Sequence, residues 1–439
     1  MGFKRALGPF DATMLVVGGI IGAGIFINPA IVAARLGSPG EVLGAWVAGG
    51  VVALAGAFTY AELGALFPRA GGQYVYLREA FHPLVGFLYG WALLLIISSG
   101  AIAAVAITFA QYALRLAGGP PAPAATLAVA AIWLLSAVNY VGVKPGSRVV
   151  NVFVVLKLAA LVALVAIALG AERVATVPTA PRPAVPWAAF GAALVPILFA
   201  YGGWQQTNYV AEEVKDASRT LPVALVAGTA IVVVVYVAVN VAYLRTLGLA
   251  GLAATLTPAA DAASRVLGAG GSQFVAVAIV VSTFGFLDVT ILAASRVYYA
   301  MAADGVFLPS VARLHPRFGT PTVALLLQAV WASVLACSGG YGQLLDYVVF
   351  ADWIFFGLTG VSLFVFRRRL PLAQRPGGVV RTPGYPLLPG LFVAAAAAVV
   401  FSVMRTNPLR SAAGAALLAA GVPAYWWWRR AAIRREATR

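Results

Sequence analysis

The sequence predicts an all-α integral membrane protein. Of its 439 residues, 62% are hydrophobic and only 10% are Asp, Glu, Lys or Arg, whereas soluble domains average about 25% charged residues. So few charged groups cannot cover a soluble surface, and the surface must therefore face lipid. Twelve apolar stretches are long enough to cross ~30 Å of hydrocarbon as helices, which takes about 20 residues each. They are 12–35, 42–66, 84–115, 124–141, 149–170, 187–214, 222–246, 270–302, 321–338, 344–366, 386–405 and 409–428.

The basic residues predict how these spans are oriented. There are 30 Lys and Arg against 14 Asp and Glu, a net charge of +16, which in a soluble protein would suggest nucleic acid as a partner. Here 21 of the 30 lie in the two tails and in the connections after even-numbered spans, with Arg296 counted among them. Another 8 lie on the opposite side, and Lys157 lies inside a span. Because cytoplasmic segments are enriched in Lys and Arg, both termini are expected in the cytoplasm, where the excess charge meets anionic lipid rather than nucleic acid.

Two spans carry glycine-rich sequence near their middles. The first reads GGIIGAGIF at 18–26, and the sixth reads FAYGGWQQTNY at 199–209, with Pro196 just before it. A helix broken there frees N–H groups that suit a carboxylate and C=O groups that suit an ammonium, so two facing breaks suit the zwitterion of an amino acid. The alternative is that the glycines only allow close helix packing, since Gly18 and Gly22 have GxxxG spacing.

These segments also indicate a family. GGIIGAGIF, YAELGALFPRAGGQYVYLREAF at 60–81, FAYGGWQQTNYVAEEVKDASRTLP at 199–222 and RTPGYPLLP at 381–389 resemble the amino acid–polyamine–organocation transporter superfamily. Within it, the sequence is most similar to the L-type amino acid transporter branch and its bacterial relatives. The resemblance covers essentially the whole chain.

The resemblance implies one membrane domain of the leucine-transporter type. Two inverted repeats would comprise spans 1–5, at residues 1–178, and spans 6–10, at residues 179–369. Spans 11 and 12 and a cytoplasmic tail would follow at 370–439. Transport would proceed by alternating access, as spans 1, 2, 6 and 7 rock against spans 3, 4, 8 and 9.

The resemblance also implies a substrate site at the two breaks. The turn at 22–24 would bind the substrate carboxylate, and the carbonyls at 199–202 would bind its ammonium. Phe199 matches an aromatic that closes over the substrate from outside, and Gly202 leaves room for the substrate side chain. Ala23 stands where relatives often have Ser, and Gln205 where the animal branch has Asn. The whole implied set is Ile21, Gly22, Ala23, Gly24, Ile25, Phe199, Ala200, Tyr201, Gly202, Gly203 and Gln205.

Lys157 lies in the middle of the fifth span, in NVFVVLKLAALV. A buried ammonium costs several kcal/mol unless it is paired. The alternative is snorkelling to the inner interface, but Arg148 is about 13 Å away along the helix, which is deep for a lysine stem. In the resembling branch, such a lysine replaces a sodium ion and bonds carbonyls near Gly18 and a hydroxyl on span 8. Ser282 matches that hydroxyl, with Thr283 beside it, and transport would then be sodium-independent.

Asp288 and Asp352 lie inside the eighth and tenth spans, where animal relatives tend to carry Asn. A carboxylate in the membrane can hold a proton or contact a polar substrate. The alternative is a structural carboxylate bonded to neighbouring backbone or to a Tyr hydroxyl.

The sequence therefore predicts a sodium-independent secondary transporter of L-amino acids, working by exchange. The small apolar site wall favours small or medium neutral substrates. Lys157 favours exchange, and the two aspartates favour the alternatives of proton symport or transport of polyamines or cationic amino acids. An intramembrane aspartyl protease is disfavoured, because the contexts FLDV and FADW lack the Tyr-Asp and Gly-x-Gly-Asp motifs. A channel is disfavoured too, because no filter loop is repeated.

No enzyme activity, cofactor or metal site is expected. The chain has two histidines, one cysteine and no GxxxxGK[ST] loop. Light chains of the animal branch join a glycoprotein through a cysteine between spans 3 and 4, and the segment 115–124 has none. We therefore expect a stand-alone multi-pass protein of a bacterial inner membrane, with amino acids and lipids as partners and no disulfide-linked heavy chain. Four prolines at 171–186 predict an extended strap on the outer side.

Overall fold

A computed structural model describes residues 2–119, 123–170, 187–268, 270–338, 341–370 and 380–437. The predicted strap at 171–186 and the boundary between the repeats at 178–179 lie outside these residues. The described part has helices joined by turns and loops, with one isolated β-bridge between Leu7 and Val214 among its residues. Its α-helices are α1 Pro9–Ile20, α2 Gly24–Arg35, α3 Pro39–Leu66, α4 Gln73–Ala80, α5 Pro83–Ala92, α6 Ser98–Leu116, α7 Ala124–Val141, α8 Val143–Gly170, α9 Trp187–Tyr201, α10 Gln206–Tyr209, α11 Ala217–Ala254, α12 Pro258–Leu267, α13 Gly270–Ala303, α14 Thr322–Cys337, α15 Tyr341–Arg369, α16 Leu387–Thr406 and α17 Pro408–Ala437.

Eight helical runs in the described residues are long and apolar enough to cross a membrane. The pair α1 and α2, bent by 44°, would be a ninth. The all-α membrane class is therefore confirmed, and the count of twelve crossings stays a prediction. The eight runs are Pro39–Leu66, Pro83–Leu116, Ala124–Val141, Val143–Gly170, Ala217–Ala254, Gly270–Ala303, Phe350–Arg369 and Leu387–Thr406.

Local sequence explains where several helices begin. At the start of α3, the Ser38 hydroxyl accepts a hydrogen bond from the Glu41 N–H at 3.2 Å, and the Glu41 carboxylate accepts one from the Ser38 N–H at 3.0 Å. This reciprocal capping box pairs backbone donors that a helix end leaves free. Pro39 occupies the first position of the helix, where its missing N–H costs nothing.

Helix α1 lies at the centre of the bundle, packed against α8, α11 and α13. Glycines allow the close approach. A Cβ at Gly18 would lie 2.9 Å from side-chain atoms of Val154 and Val289, and one at Gly228 would lie 2.7 Å from Val16. Small residues serve helix contacts in membranes because lipid supplies no hydrophobic force between helices. Packing and helix breaking therefore both use the glycines of this region.

Candidate functional site

The two predicted breaks are present and face each other. Helix α1 ends at Ile20 and α2 begins at Gly24, while α9 ends at Tyr201 and α10 begins at Gln206. Gly203 has φ = 123°, and a Cβ there would lie 2.0 Å from the carbonyl oxygen of Gly19. A residue with a side chain fits neither this backbone conformation nor this contact.

A tyrosine links the two broken spans. The Tyr236 hydroxyl lies 3.3 Å from both the carbonyl oxygen of Ile20 and that of Ala200, the groups next to the two interruptions. Pro196 lacks an N–H, so it leaves the carbonyl of Ala192, four residues earlier, without its helical donor. The Arg35 guanidinium donates to that carbonyl instead. The breaks are thus held by side chains of other helices, as backbone in lipid requires.

A cavity of about 280 Å³ lies between the breaks. Its walls come from α1, α2, α6, α9, α10, α13 and α15 and from the π-helical segment Leu93–Ile97 that precedes α6, and they are mostly apolar. Gly22, Ala23 and Gly24 line this cavity at the start of α2, and the first N–H groups of a helix have no carbonyl one full turn before them. The members of the predicted set that line it are Gly22, Ala23, Gly24, Phe199, Ala200, Gly202, Gly203 and Gln205, and Asp352 lines it as well.

Three members of the predicted substrate set lie outside the lining. The side chains of Ile21 and Ile25 are fully buried in the surrounding packing. The Tyr201 ring is also turned away, since its hydroxyl donates to the Trp46 carbonyl at 3.2 Å and its ring packs against Trp46 and Tyr236. Gln205 reaches the cavity, but its side-chain oxygen accepts a hydrogen bond from the Gly203 N–H at 3.1 Å and so supports the break.

Other helices contribute lining residues that the predicted set omits. They include Asn28, Ser98, Gln206, Tyr209, Phe286, Thr290, Trp353 and Phe356. The Asn28 amide donates to the Pro196 carbonyl at 2.7 Å and thereby joins α2 to α9. A polar residue within an apolar stretch was the only signal in the sequence for Asn28, Ser98 and Thr290.

Lys157 contacts the broken part of α1 directly. Its ammonium donates to the Ile21 carbonyl at 2.7 Å and lies 3.4 Å from the carbonyl oxygens of Gly18 and Ser282. The Ser282 hydroxyl does not bond the ammonium and instead donates to the Gly22 carbonyl at 3.1 Å. The Thr283 hydroxyl bonds within its own helix, to the Ile279 carbonyl at 2.7 Å. Lys157 and Ser282 therefore hold the same break from two helices, and Thr283 takes no part.

The structure separates the two intramembrane aspartates. Asp352 faces the cavity, and its Oδ1 is buried with no hydrogen-bond partner among the described residues. Asp288 is fully buried outside the cavity lining, and its Oδ1 accepts a hydrogen bond from the Asn139 amide at 2.5 Å. Only Asp352 is placed to contact a molecule in the cavity.

Ion pairs close the end of the bundle that carries the N-terminus. Glu213 and Arg296 form a bidentate pair at 2.8 and 2.9 Å, with side chains 1% and 0% exposed. Arg78 forms a further ion pair with Asp304. The count of basic residues in the sequence assigned Arg296 to a connection. In the structure α13 extends to Ala303, and Arg296 is a buried residue of that helix. Phe199 borders the cavity and is 38% exposed.

A cavity at two facing helix breaks, inside a bundle of apolar helices, defines the class of secondary transporters. Comparison with known proteins agrees: a family model described as amino acid permease matches residues 7–424. The chain belongs to the amino acid permease family, whose members are transporters rather than enzymes, and this confirms the resemblance seen in the sequence.

The relatives cover most of the chain. It is 31% identical over 414 residues to the serine/threonine exchanger SteT of Bacillus subtilis, across 93% of each chain. It is 33% identical to the b(0,+)-type amino acid transporter 1 of Oryctolagus cuniculus, across 85% of this chain and 78% of the relative. It is 32% identical to the large neutral amino acids transporter small subunit 2 of Homo sapiens, across 85% of this chain and 72% of the relative.

Proposed function

We propose that the protein is a sodium-independent exchanger of small or medium neutral L-amino acids in a bacterial inner membrane. The observation that carries the proposal is the cavity between the two breaks, with the Lys157 ammonium on the carbonyls of the first break. An ammonium at that place supplies the positive charge that a bound cation would otherwise supply. Relatives named as a serine/threonine exchanger and as amino acid transporters support the same function.

The chemistry of the cavity supports an amino acid as substrate. The turn at 22–24 and the first N–H groups of α2 suit a carboxylate, since a helix N-terminus attracts anions. The end of α9, at 199–202, offers carbonyl oxygens to an ammonium. The remaining wall is small and apolar, and about 280 Å³ lies near the lower end of the usual range for ligand pockets. A small neutral side chain fits such a wall.

The transmembrane arrangement is part of the proposal. Twelve crossings in two inverted repeats, at 1–178 and 179–369, with two further spans at 370–439, would put the breaks in the first span of each repeat. Support comes from the helices that coincide with each predicted stretch and from this placement of the breaks. The excess of Lys and Arg beside the termini supports cytoplasmic tails.

Uptake into proteoliposomes tests the function. The purified protein is reconstituted, and uptake of labelled serine, threonine, alanine and leucine is measured with and without unlabelled amino acid inside, in sodium or choline buffer. Internal amino acid is expected to accelerate uptake, and sodium is expected to change nothing. Protein-free liposomes give the background. Uptake that internal amino acid does not accelerate would refute exchange, and sodium-stimulated uptake would refute the role given to Lys157.

Asp352 favours a second candidate, proton symport or transport of substrates with cationic side chains, including polyamines. Its carboxylate faces the cavity, and one oxygen has no partner among the described residues, so a proton or a cationic group would satisfy it. If the protein is a proton symporter, an inward proton gradient drives accumulation and Asp352→Asn abolishes that accumulation. If it carries substrates with cationic side chains, Asp352→Asn abolishes the uptake of lysine. If Asp352→Asn leaves both the pH dependence and the substrate range unchanged, this candidate is wrong.

We further propose that the transporter works without a disulfide-linked heavy chain. One relative is named as a small subunit, but Cys337 is the single cysteine of this sequence and the segment 115–124 has none. Transport by the purified chain alone would support this, and a requirement for a second protein would contradict it.

A further inference from the structure

Asp288 of α13 and Asn139 of α7 form a buried polar pair away from the substrate cavity. Both residues are 0% exposed. The Asn139 amide donates one hydrogen to Asp288 Oδ1 at 2.5 Å and the other to the Leu135 carbonyl at 2.9 Å. Both amide hydrogens of Asn139 are therefore used.

The other two oxygens of this pair have no donor. Asp288 Oδ2 and Asn139 Oδ1 are both buried and without a hydrogen-bond partner among the described residues. An ionised Asp288 is an acceptor only, so in that form two buried acceptors would stay unsatisfied beside an uncompensated charge, which is costly. A single proton on Asp288 Oδ2 would make that oxygen a hydrogen-bond donor, and Asn139 Oδ1 could then accept its hydrogen bond.

No charged side chain in the described part of the packed helices is seen to bond Asp288. The Lys157 ammonium lies beside α13 one turn before Asp288, because a Cβ at Gly285 would be 3.7 Å from it. That ammonium donates to the Ile21 carbonyl. The helices around Asp288 carry these charged or titratable groups: Asp11 on α1, Tyr112 and Arg115 on α6, Tyr140 on α7, Lys144, Arg148 and Lys157 on α8, Arg296, Tyr298 and Tyr299 on α13, and Cys337 on α14. Asp11 bonds Lys144, and Arg296 bonds Glu213.

We propose that Asp288 carries a proton on Oδ2 throughout the transport cycle and donates it to Asn139 Oδ1. The result is a neutral acid–amide pair that joins α7 to α13. It is a permanent proton-binding site and does not couple protons to transport. The proposal does not depend on which substrate is carried or on whether exchange or symport operates.

Conservative substitutions test the proton. Asp288→Asn places an amide N–H where the proposal puts the O–H, so uptake is expected within about twofold of wild type and the Tm is expected to be unchanged. Asp288→Leu leaves Asn139 without its partner and is expected to lower the Tm by a few degrees. The exchanged pair, Asp288→Asn with Asn139→Asp, is expected to keep the wild-type Tm, because it again combines one protonated acid with one amide. At strongly alkaline pH the wild type loses stability through ionisation of Asp288, and Asp288→Asn does not.

Infrared spectroscopy of the reconstituted protein reads the proton directly. The wild type at neutral pH is expected to show the C=O stretch of a protonated carboxylic acid, and Asp288→Asn is expected to remove it. Gly146→Ala is a further probe, because its Cβ would lie 2.2 Å from Asn139 Oδ1 and would disrupt the pair. The proposal is overturned if Asp288→Asn fails to fold or loses uptake, or if its spectrum retains the same carboxylic acid band. Failure of amino acid exchange in wild-type vesicles would refute the proposed function and leave this spectrum unchanged.

Discussion

Replacing Lys157 by Met tests how the break in the first span is held. The methionine keeps most of the volume of the side chain and removes the ammonium. The Ile21 carbonyl, 2.7 Å from that ammonium, then loses its strongest donor. The Ser282 hydroxyl is 3.4 Å from the same oxygen and is already closer to the Gly22 carbonyl, so it cannot fully replace the lysine.

The geometry sets the size of the effect. A hydrogen bond to a charged group contributes about 1.5–3 kcal/mol. The contacts at 3.4 Å to the carbonyls of Gly18 and Ser282 lie beyond the usual N–H···O range and add little. At about 1.4 kcal/mol for each factor of ten, uptake at subsaturating substrate should fall by about 10- to 150-fold, because the turn at 22–24, where we propose that the carboxylate binds, follows the loosened carbonyl.

Initial rates of labelled threonine uptake into proteoliposomes measure this effect. Lys215→Ala is the matched control, because Lys215 is exposed on the surface, and it should transport at the wild-type rate. Lys157→Ala should lose more than Lys157→Met, since it also leaves a void in the packing. Wild-type uptake by Lys157→Met, with normal insertion and Tm, would refute this account of the break.

Two further substitutions address the other contacts of the transport path. Gly203→Ala should abolish uptake and lower the Tm. Its Cβ would lie 2.0 Å from the Gly19 carbonyl oxygen, and its backbone conformation costs a residue with a side chain about 1–3 kcal/mol. The control is Gly44→Ala, whose Cβ would have no atom within 4 Å, and it should keep the wild-type Tm in the same thermal-shift assay. Arg296→Met should destabilise the protein by about 3–5 kcal/mol, because it leaves the buried Glu213 carboxylate without its partner. Adding Glu213→Gln should recover much of that loss, and no recovery would contradict the ion-pair explanation.

The breaks and the depth of Lys157 could be predicted because they depend on local sequence. Glycine and proline change backbone conformation and hydrogen bonding where they stand, so FAYGGW and GGIIGAGIF indicate interruptions without knowledge of the fold. The depth of Lys157 follows from counting residues at ~1.5 Å each. Its partners near Gly18 came from the resemblance, and the structure adds the Ile21 carbonyl as the closest one.

The rotation of each helix about its axis could not be predicted. A helix that is apolar on all sides has no polar face that indicates which side chain points to the cavity. Asp288 and Asp352 therefore looked equivalent in sequence, although one packs against Asn139 and the other faces the cavity. Arg296 was counted with a connection although the predicted span 270–302 contains it, because its burial and its partner Glu213 become visible only in the folded structure.

The charge states of Lys157 and Asp288 constrain each other, because the Lys157 ammonium lies beside Gly285, one turn before Asp288 on α13. An ionised Asp288, one turn from Gly285, would attract the ammonium that lies beside Gly285, because charges interact strongly where water is excluded. The ammonium instead bonds the Ile21 carbonyl at the break, where its charge also favours a substrate carboxylate at the turn 22–24. A neutral Asp288 therefore leaves Lys157 free to serve the first break. Sodium independence should accordingly survive Asp288→Asn and should depend on Lys157.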